Sequence, residues 1–182
     1  MQCFVKNTFS IVFEYLPTLL LQFLEWINEN VAQTSVFSSS MQVASMIRLS
    51  TNRAITNHPH YEDKRLRDTT FDVYQMYAKI ESKDYKELLA KHGTTHIVVE
   101  NSICFQQRRT KADDDDPRKA DADGCITKKI LDRANGHLNV ESGKYKRNLP
   151  GRFCEVLKKS EGGNSEFKKV FENHTFLIYE IK

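Results

Sequence analysis

The residues with the densest chemistry form one stretch, Asn57-His58-Pro59-His60-Tyr61-Glu62-Asp63. His58, His60 and Glu62 alternate, and an extended chain points alternate side chains to the same side. Three such ligands plus a water fit an open zinc site. Pro59 lies between the two histidines and disturbs that extension, and His-x-His alone is a weak metal signal. A second reading is structural: Asn and His side chains satisfy a turn, and Asp63 caps the helix behind it. The third reading rests on position. The stretch follows a strand-like run and precedes a helical one, and ligands of α/β sheets gather at the carboxyl ends of strands. This favours a substrate-facing loop, with the other two readings kept beside it.

Other candidates carry less. His92 and His96 straddle Gly93, so they do not share a helical face. Ser38-Ser39-Ser40 has neither a nucleophile elbow nor a glycine-rich phosphate loop, and polar packing at a strand end explains it. Asp113 to Asp116 lack the D-x-D-x-D-G spacing and distal Glu of a calcium loop. No Rossmann fingerprint or Walker motif occurs. The chain thus holds no self-sufficient catalytic constellation, and no metal is expected. Cys104, Cys125 and Cys154 flank the charged segment and the helices after it, and two of the three could close a loop in an oxidising compartment. Cys3 stands apart. Asn173-His174-Thr175 is the one N-x-[ST] glycosylation triplet, meaningful only in the secretory pathway.

The elements that must position these residues are legible from spacing. Pro17 suits the first turn of a helix from Thr18 to about Asn30. On it Leu20, Phe23, Leu24 and Ile27 form an amphipathic stripe with Trp26 beside it. SVFSS from Ser35 reads as a buried strand, MQVASMIRL as a helix, and AITNH as a second strand closed by His58-Pro59. The helix after Asp63 places Leu66, Thr70, Val73, Tyr74 and Tyr77 on one face. Another carries Tyr85, Leu88 and Leu89 and stops at Gly93. THIVVEN is the clearest strand. Cys125 to Asn135 predicts a helix with Ile126, Ile130, Leu131 and Ala134 inward, and Arg152 to Lys159 another with Phe153, Val156 and Leu157. EFKKVF reads as one or two further helical turns, and HTFLIYEI as a final strand covered on both faces. Alternating strands and helices predict a small α/β domain with a largely parallel sheet flanked by helices.

Composition sets the bounds. The 182 residues suit one domain, with 28% charged and 40% hydrophobic residues. The mean hydropathy is −0.56, the balance of a soluble globular chain. A net charge of +3 makes no case for a nucleic-acid partner. Residues 8–27 are the most apolar run, yet Glu14, Pro17 and Glu25 interrupt it, so it predicts a packing helix rather than a span. Residues 106–124 hold no apolar side chain larger than Ala except Pro117 and cannot offset their ordering entropy by burial, so they predict a mobile surface insertion.

Several segments together resemble a family. LEWIN (24–28), VFSSSMQ (36–42), TNHPHYEDKRLR (56–67), VYQMYAK (73–79), IVVENSIC (97–104), ANGH (134–137), RFCE (152–155) and VFENHTFLIYEI (170–181) resemble the C-terminal luminal domain of the dumpy-19-like protein C-mannosyltransferases. The resemblance runs in order over about residues 23–182, which sets 1–22 apart as a divergent apolar segment.

The resemblance implies a soluble domain of a many-spanning, C-type (GT-C-like) glycosyltransferase of the endoplasmic reticulum membrane, with this domain luminal. The nuclear inner membrane is the alternative location. It implies transfer of mannose from dolichyl-phosphate-mannose, with no other cofactor, to the indole C2 of tryptophan in W-x-x-W or W-x-x-C segments of acceptor proteins. The base is expected in a membrane half that this chain lacks, so no catalytic residue is expected here and the domain alone is expected to be inactive. His58, His60, Tyr61, Glu62 and Asp63 become the expected acceptor-facing surface, because His and Tyr rings can stack on an indole and a carboxylate can accept its N–H. A luminal setting favours a disulfide among the three cysteines and a glycan on Asn173. Two other functions stand beside this one: a standalone binding or scaffold module that kept the fold, and a soluble metal-dependent enzyme centred on His58 and His60.

Overall fold

The computed structural model describes residues 9–58, 62–105, 126–139, 142 and 144–182, without the side chains of 9–17, 126 and 127. Along the chain run α1 (Phe9–Asn30), β1 (Val36–Ser38), α2 (Met41–Thr51), β2 (Ala54–Ile55), α3 (Lys64–Tyr74) and a 3-10 turn (Gln75–Tyr77). Then come α4 (Ser82–Ala90), β3 (His96–Glu100), α5 (Asn101–Cys104), α6 (Ile126–Ala134), α7 (Phe153–Lys159), β4 (Phe167–Glu172) and β5 (Phe176–Ile181). The strands form one five-stranded sheet in the order β2-β1-β3-β5-β4.

The α/β architecture matches the expectation, but the sheet is mixed rather than largely parallel. β1 pairs parallel with both β2 and β3, whereas β5 runs antiparallel to β3 and to β4. The reason lies in EFKKVF, which is β4 and not helical turns. A short apolar run cannot be assigned by period alone, and a three-residue connection to β5 admits only an antiparallel hairpin. Gly163 makes the preceding reversal possible. Its φ is +101°, and a Cβ there would lie 2.0 Å from the Phe167 carbonyl oxygen, so only glycine fits.

Two apolar clusters cover the two faces of the sheet. Ile97, Val99, Leu177 and Tyr179 point to one face and meet Val73, Tyr77, Tyr85, Leu89, Phe153 and Leu157. Val98, Phe176 and Ile178 point to the other and meet Phe23, Ile27, Phe37, Val43 and Ile47. β3 and β5 are therefore buried on both sides, which is why their sequences are nearly continuous in apolar residues. Each fully buried Phe or Ile contributes about 1.5–3 kcal/mol.

α1 begins earlier than expected, at Phe9, and runs through Pro17. Proline removes one backbone donor, and the apolar run on either side carries the helix past it. The stripe is as read: Phe23 and Ile27 are fully buried, with Leu20, Leu24 and Trp26 part-buried against them. Arg53 seats its C-terminal end. The buried guanidinium donates to the Val31 carbonyl at 2.6 Å, the Asn28 side-chain oxygen at 2.7 Å and the Asn28 carbonyl at 3.3 Å, placing a cation at the negative end of the helix dipole. No helix among the described residues is long and apolar enough to cross a membrane.

α6 turns a different face inward from the one read. Leu131 is buried as expected, but Ile130 is 41% exposed and Ala134 is exposed. Lys128 and Asp132 take the inward positions with Leu131. Polar partners inside the fold cause this: the Lys128 ammonium donates to the Cys104 carbonyl at 2.7 Å, and Asp132 meets Arg152. Val156 on α7 is likewise exposed.

Candidate functional site

Three parallel strands end at one edge of the sheet. β1 leaves through Ser39-Ser40 into α2, β2 leaves through Thr56-Asn57-His58, and β3 ends on Glu100. Asn57 is fully buried and clamps two of these exits together. Its side-chain N–H donates to the Ser39 carbonyl at 2.8 Å, and its Oδ1 accepts from the Ser39 amide at 3.4 Å. An asparagine amide can pair with a peptide group in this two-way manner because it carries both donor and acceptor.

The serine run is local packing, as its sequence suggested. Ser38 and Thr94 share a hydroxyl contact at 2.9 Å, the Ser39 hydroxyl donates to the Ser40 carbonyl, and Ser40 Oγ caps α2 by accepting from the Val43 amide. Two tyrosines of the next helical segment brace the same edge. Tyr74 Oη accepts the Met41 amide at 3.2 Å, and Tyr77 Oη accepts the Glu100 amide at 3.3 Å.

Asn57 and His58 lead on from this edge, and Glu62 and Asp63 precede α3. His58 sits part-buried at its foot. Glu62 is exposed, and its carbonyl accepts from the Arg67 guanidinium at 2.8 Å. Asp63 is the N-cap of α3, accepting from the amides of Arg65 at 2.7 Å and Leu66 at 3.2 Å. Those amides, the Leu66 one first, hold its carboxyl below the usual range. Asp63 therefore has a structural task whatever else it does. His60, Tyr61 and Cys125, and the segment 106–124, lie outside the described residues. Among the described residues no three His, Cys, Asp or Glu side chains gather as a metal-binding group.

Glu100 is the residue that reading the sequence for clusters missed. It closes β3, whose preceding four residues are buried, so its carboxyl is carried to the strand exits from a buried base. Burial pushes its pKa up, against a smaller opposing effect of the Ser40 hydroxyl. Its Oε1 is buried with no hydrogen-bond partner. The one available signal was an acid directly following the apolar run Ile97-Val98-Val99.

The remaining expected residues lie elsewhere. A disulfide joins Cys104 to Cys154, tying the end of α5 to the start of α7 across 50 residues. Asn173 lies in the β4–β5 turn with its side chain engaged: Nδ2 donates to the Leu19 carbonyl at 3.0 Å, and Oδ1 accepts from the amides of Thr175 and Phe176. A glycan on Nδ2 in the folded domain would displace the contact to α1. At the other end of β3 a cleft of about 610 Å³ is lined by Trp26, Val31, His96, Lys168 and Glu180 among others. His96 begins β3 there, its ring stacked on Phe37 at 5.0 Å, and burial lowers its pKa.

The edge built from β1, β2 and β3 can bind and orient a partner through hydroxyl, amide, aromatic and carboxyl groups. Among the described residues it contains no nucleophile paired with a base.

Comparison with known proteins agrees with this shape. The chain is 28% identical over 163 residues to the mouse "Probable C-mannosyltransferase DPY19L4", covering 88% of this chain and 21% of that protein. It is 29% identical over 177 residues to the rat "Protein C-mannosyl-transferase DPY19L1", covering 97% and 20%. The chain thus spans about a fifth of the length of these relatives. In fold it is similar to the C-terminal globular domain of an oligosaccharyltransferase from Archaeoglobus fulgidus, with a TM-score of 0.57, 14% identity and coverage of 89% and 96% of the two chains. The Dpy19 family profile, described as Q-cell neuroblast polarisation, matches residues 4–181. With nearly its whole length inside that profile, the chain belongs to the Dpy19 family.

Proposed function

We propose that this chain is the luminal acceptor-handling domain of a protein C-mannosyltransferase. In this reading the larger enzyme transfers mannose from dolichyl-phosphate-mannose to tryptophan C2 in W-x-x-W or W-x-x-C segments. The domain lies over the membrane active site in the endoplasmic reticulum, shapes the acceptor path and is inactive alone. One observation carries the reading: the exits of β1, β2 and β3 come together on one edge, with Asn57 clamped to Ser39 there. That is where α/β sheets collect ligands. The relatives' names supply the reaction class.

In mechanism the domain's part is positioning. Indole carbon attack needs the ring held against the donor sugar, and a misplacement of about 1 Å can cost 10²-fold in rate. His58, His60 and Tyr61 offer rings for stacking, and Glu62 offers an acceptor for the indole N–H. The Cys104–Cys154 disulfide supports an oxidising compartment.

The test is acceptor transfer by the full-length enzyme with His60→Ala and Glu62→Ala. Both variants are expected to cut transfer while leaving the thermal unfolding of the domain unchanged. Unaltered turnover in both removes the reading. Mass analysis of the secreted domain, with and without reductant and glycosidase, checks the compartment: a mass showing neither disulfide nor glycan contradicts it.

A further inference from the structure

Glu100 has a carboxyl that the described part of the fold uses only in part, through the Ser40 hydroxyl. Its backbone amide is taken by Tyr77 Oη, but its Oε1 is shut from solvent without a donor. The groups acting on the carboxyl are burial and the Ser40 hydroxyl, with no cation among them. Buried polar atoms are almost always satisfied, and one that is not calls for an explanation. Here the neighbours define what is missing. Ser40 caps the N-terminus of α2, whose positive end disfavours a cationic guest. The absent partner is therefore a neutral N–H or O–H donor.

The site is reachable. Glu100 keeps a minor part of its surface open, and the terminal torsion of a glutamate is broad and nearly two-fold. Either oxygen can turn to an arriving donor. The position also fits, because Glu100, Ser40 and Asn57 stand at the exits of β3, β1 and β2.

We propose that Glu100 is an acceptor-binding residue, taking an N–H from the polypeptide laid across the exits of β1, β2 and β3. This rests on the acceptor-handling reading above and adds a residue and a contact to it. Bound acceptor completes the hydrogen bonding that the free domain leaves open. The fold accordingly tolerates an unsatisfied carboxyl at this point because binding uses it.

The test compares Glu100→Gln, His60→Ala and Glu62→Ala in the full-length enzyme, with a synthetic W-x-x-W peptide and dolichyl-phosphate-mannose titrated separately. Glu100→Gln is expected to raise the acceptor KM about ten-fold, the size of one charge-assisted hydrogen bond. The expected kcat and donor KM are unchanged, and the melting temperature equals or exceeds that of the parent. A lowered melting temperature or loss of folded protein, with acceptor KM unchanged, makes Glu100 structural and overturns the proposal. A raised donor KM alone assigns the contact to the sugar donor and also overturns it. If the loop variants raise acceptor KM and Glu100→Gln does not, the inference fails and the acceptor reading stands. If none of the three changes acceptor KM, both fail together.

Discussion

Two carboxylates, Asp132 fully buried and Glu100 part-buried, divide this domain into contrasting regions. Asp132 lies fully buried on the α6 side, and Arg152 answers it with two N–H groups at 3.3 and 2.7 Å while the Tyr145 hydroxyl donates at 2.8 Å. The same guanidinium holds the Tyr77 carbonyl at 3.0 Å. Glu100, across Tyr77 from that network, has the Ser40 hydroxyl but, among the described residues, no countercharge, and its Oε1 has no partner there. A buried acid with a complete shell locks segments together. A buried acid with an incomplete one leaves room for a guest. Distance from Tyr77 does not separate the two regions, since it touches both; satisfaction does.

The contrast is open to attack at several points. Asp132→Ala should have the largest effect. It strands Arg152 in the interior, and breaking a buried pair costs about 3–5 kcal/mol; urea unfolding of the domain reads this as a lowered midpoint. Removing the disulfide with Cys104→Ala and Cys154→Ala should come next, at about 2–4 kcal/mol, measured by thermal unfolding of the double variant against the parent. Glu100→Gln should move stability the other way, upward by about 1 kcal/mol, because it relieves an unsatisfied buried carboxylate. Asp63→Ala should be the mildest, loosening only the first turn of α3, seen as faster hydrogen exchange at the Arg65 and Leu66 amides.

The two edge acids should also tilt the pH dependence of stability in opposite senses. Glu100 is raised in the folded state. Its favourable contribution is present below the ordinary glutamate range and is lost as pH rises through the raised value. Asp63 is lowered, so its contribution is present above the ordinary aspartate range and is lost as pH falls through the depressed value. Denaturant midpoints measured across the acid range should flatten on the upper side in Glu100→Gln and on the lower side in Asp63→Ala.

How much of this was legible depends on whether a residue's partners are near in sequence. The Asp63 cap could be read because a helix N-cap bonds two and three residues ahead. The α1 stripe and the THIVVEN strand could be read because burial writes its own period. Arg53 could not, since its carbonyl partners, Val31 just past α1 and Asn28 in its last turn, lie 22 and 25 residues back. Lys128 could not, since a lysine on a helix is ordinarily exposed and its partner Cys104 comes from α5. β4 failed for the same reason: Phe167 through Glu172 is a strand because β5 lies beside it. Of the site, the 57–63 connection was visible from its side chains. Glu100 was not, because its character comes from what surrounds it rather than from its neighbours in the chain.

The central claim is that acceptor lies at the β1–β2–β3 exit edge, and photo-crosslinking tests it most directly. A W-x-x-W peptide carrying a photoreactive group beside the first tryptophan would be irradiated with the full-length enzyme, and the adducts located by mass spectrometry. The account predicts adducts on residues 39–42, 56–63 and 100. Adducts confined to the opposite end of the sheet, around Trp26, His96 and Lys168, would contradict it.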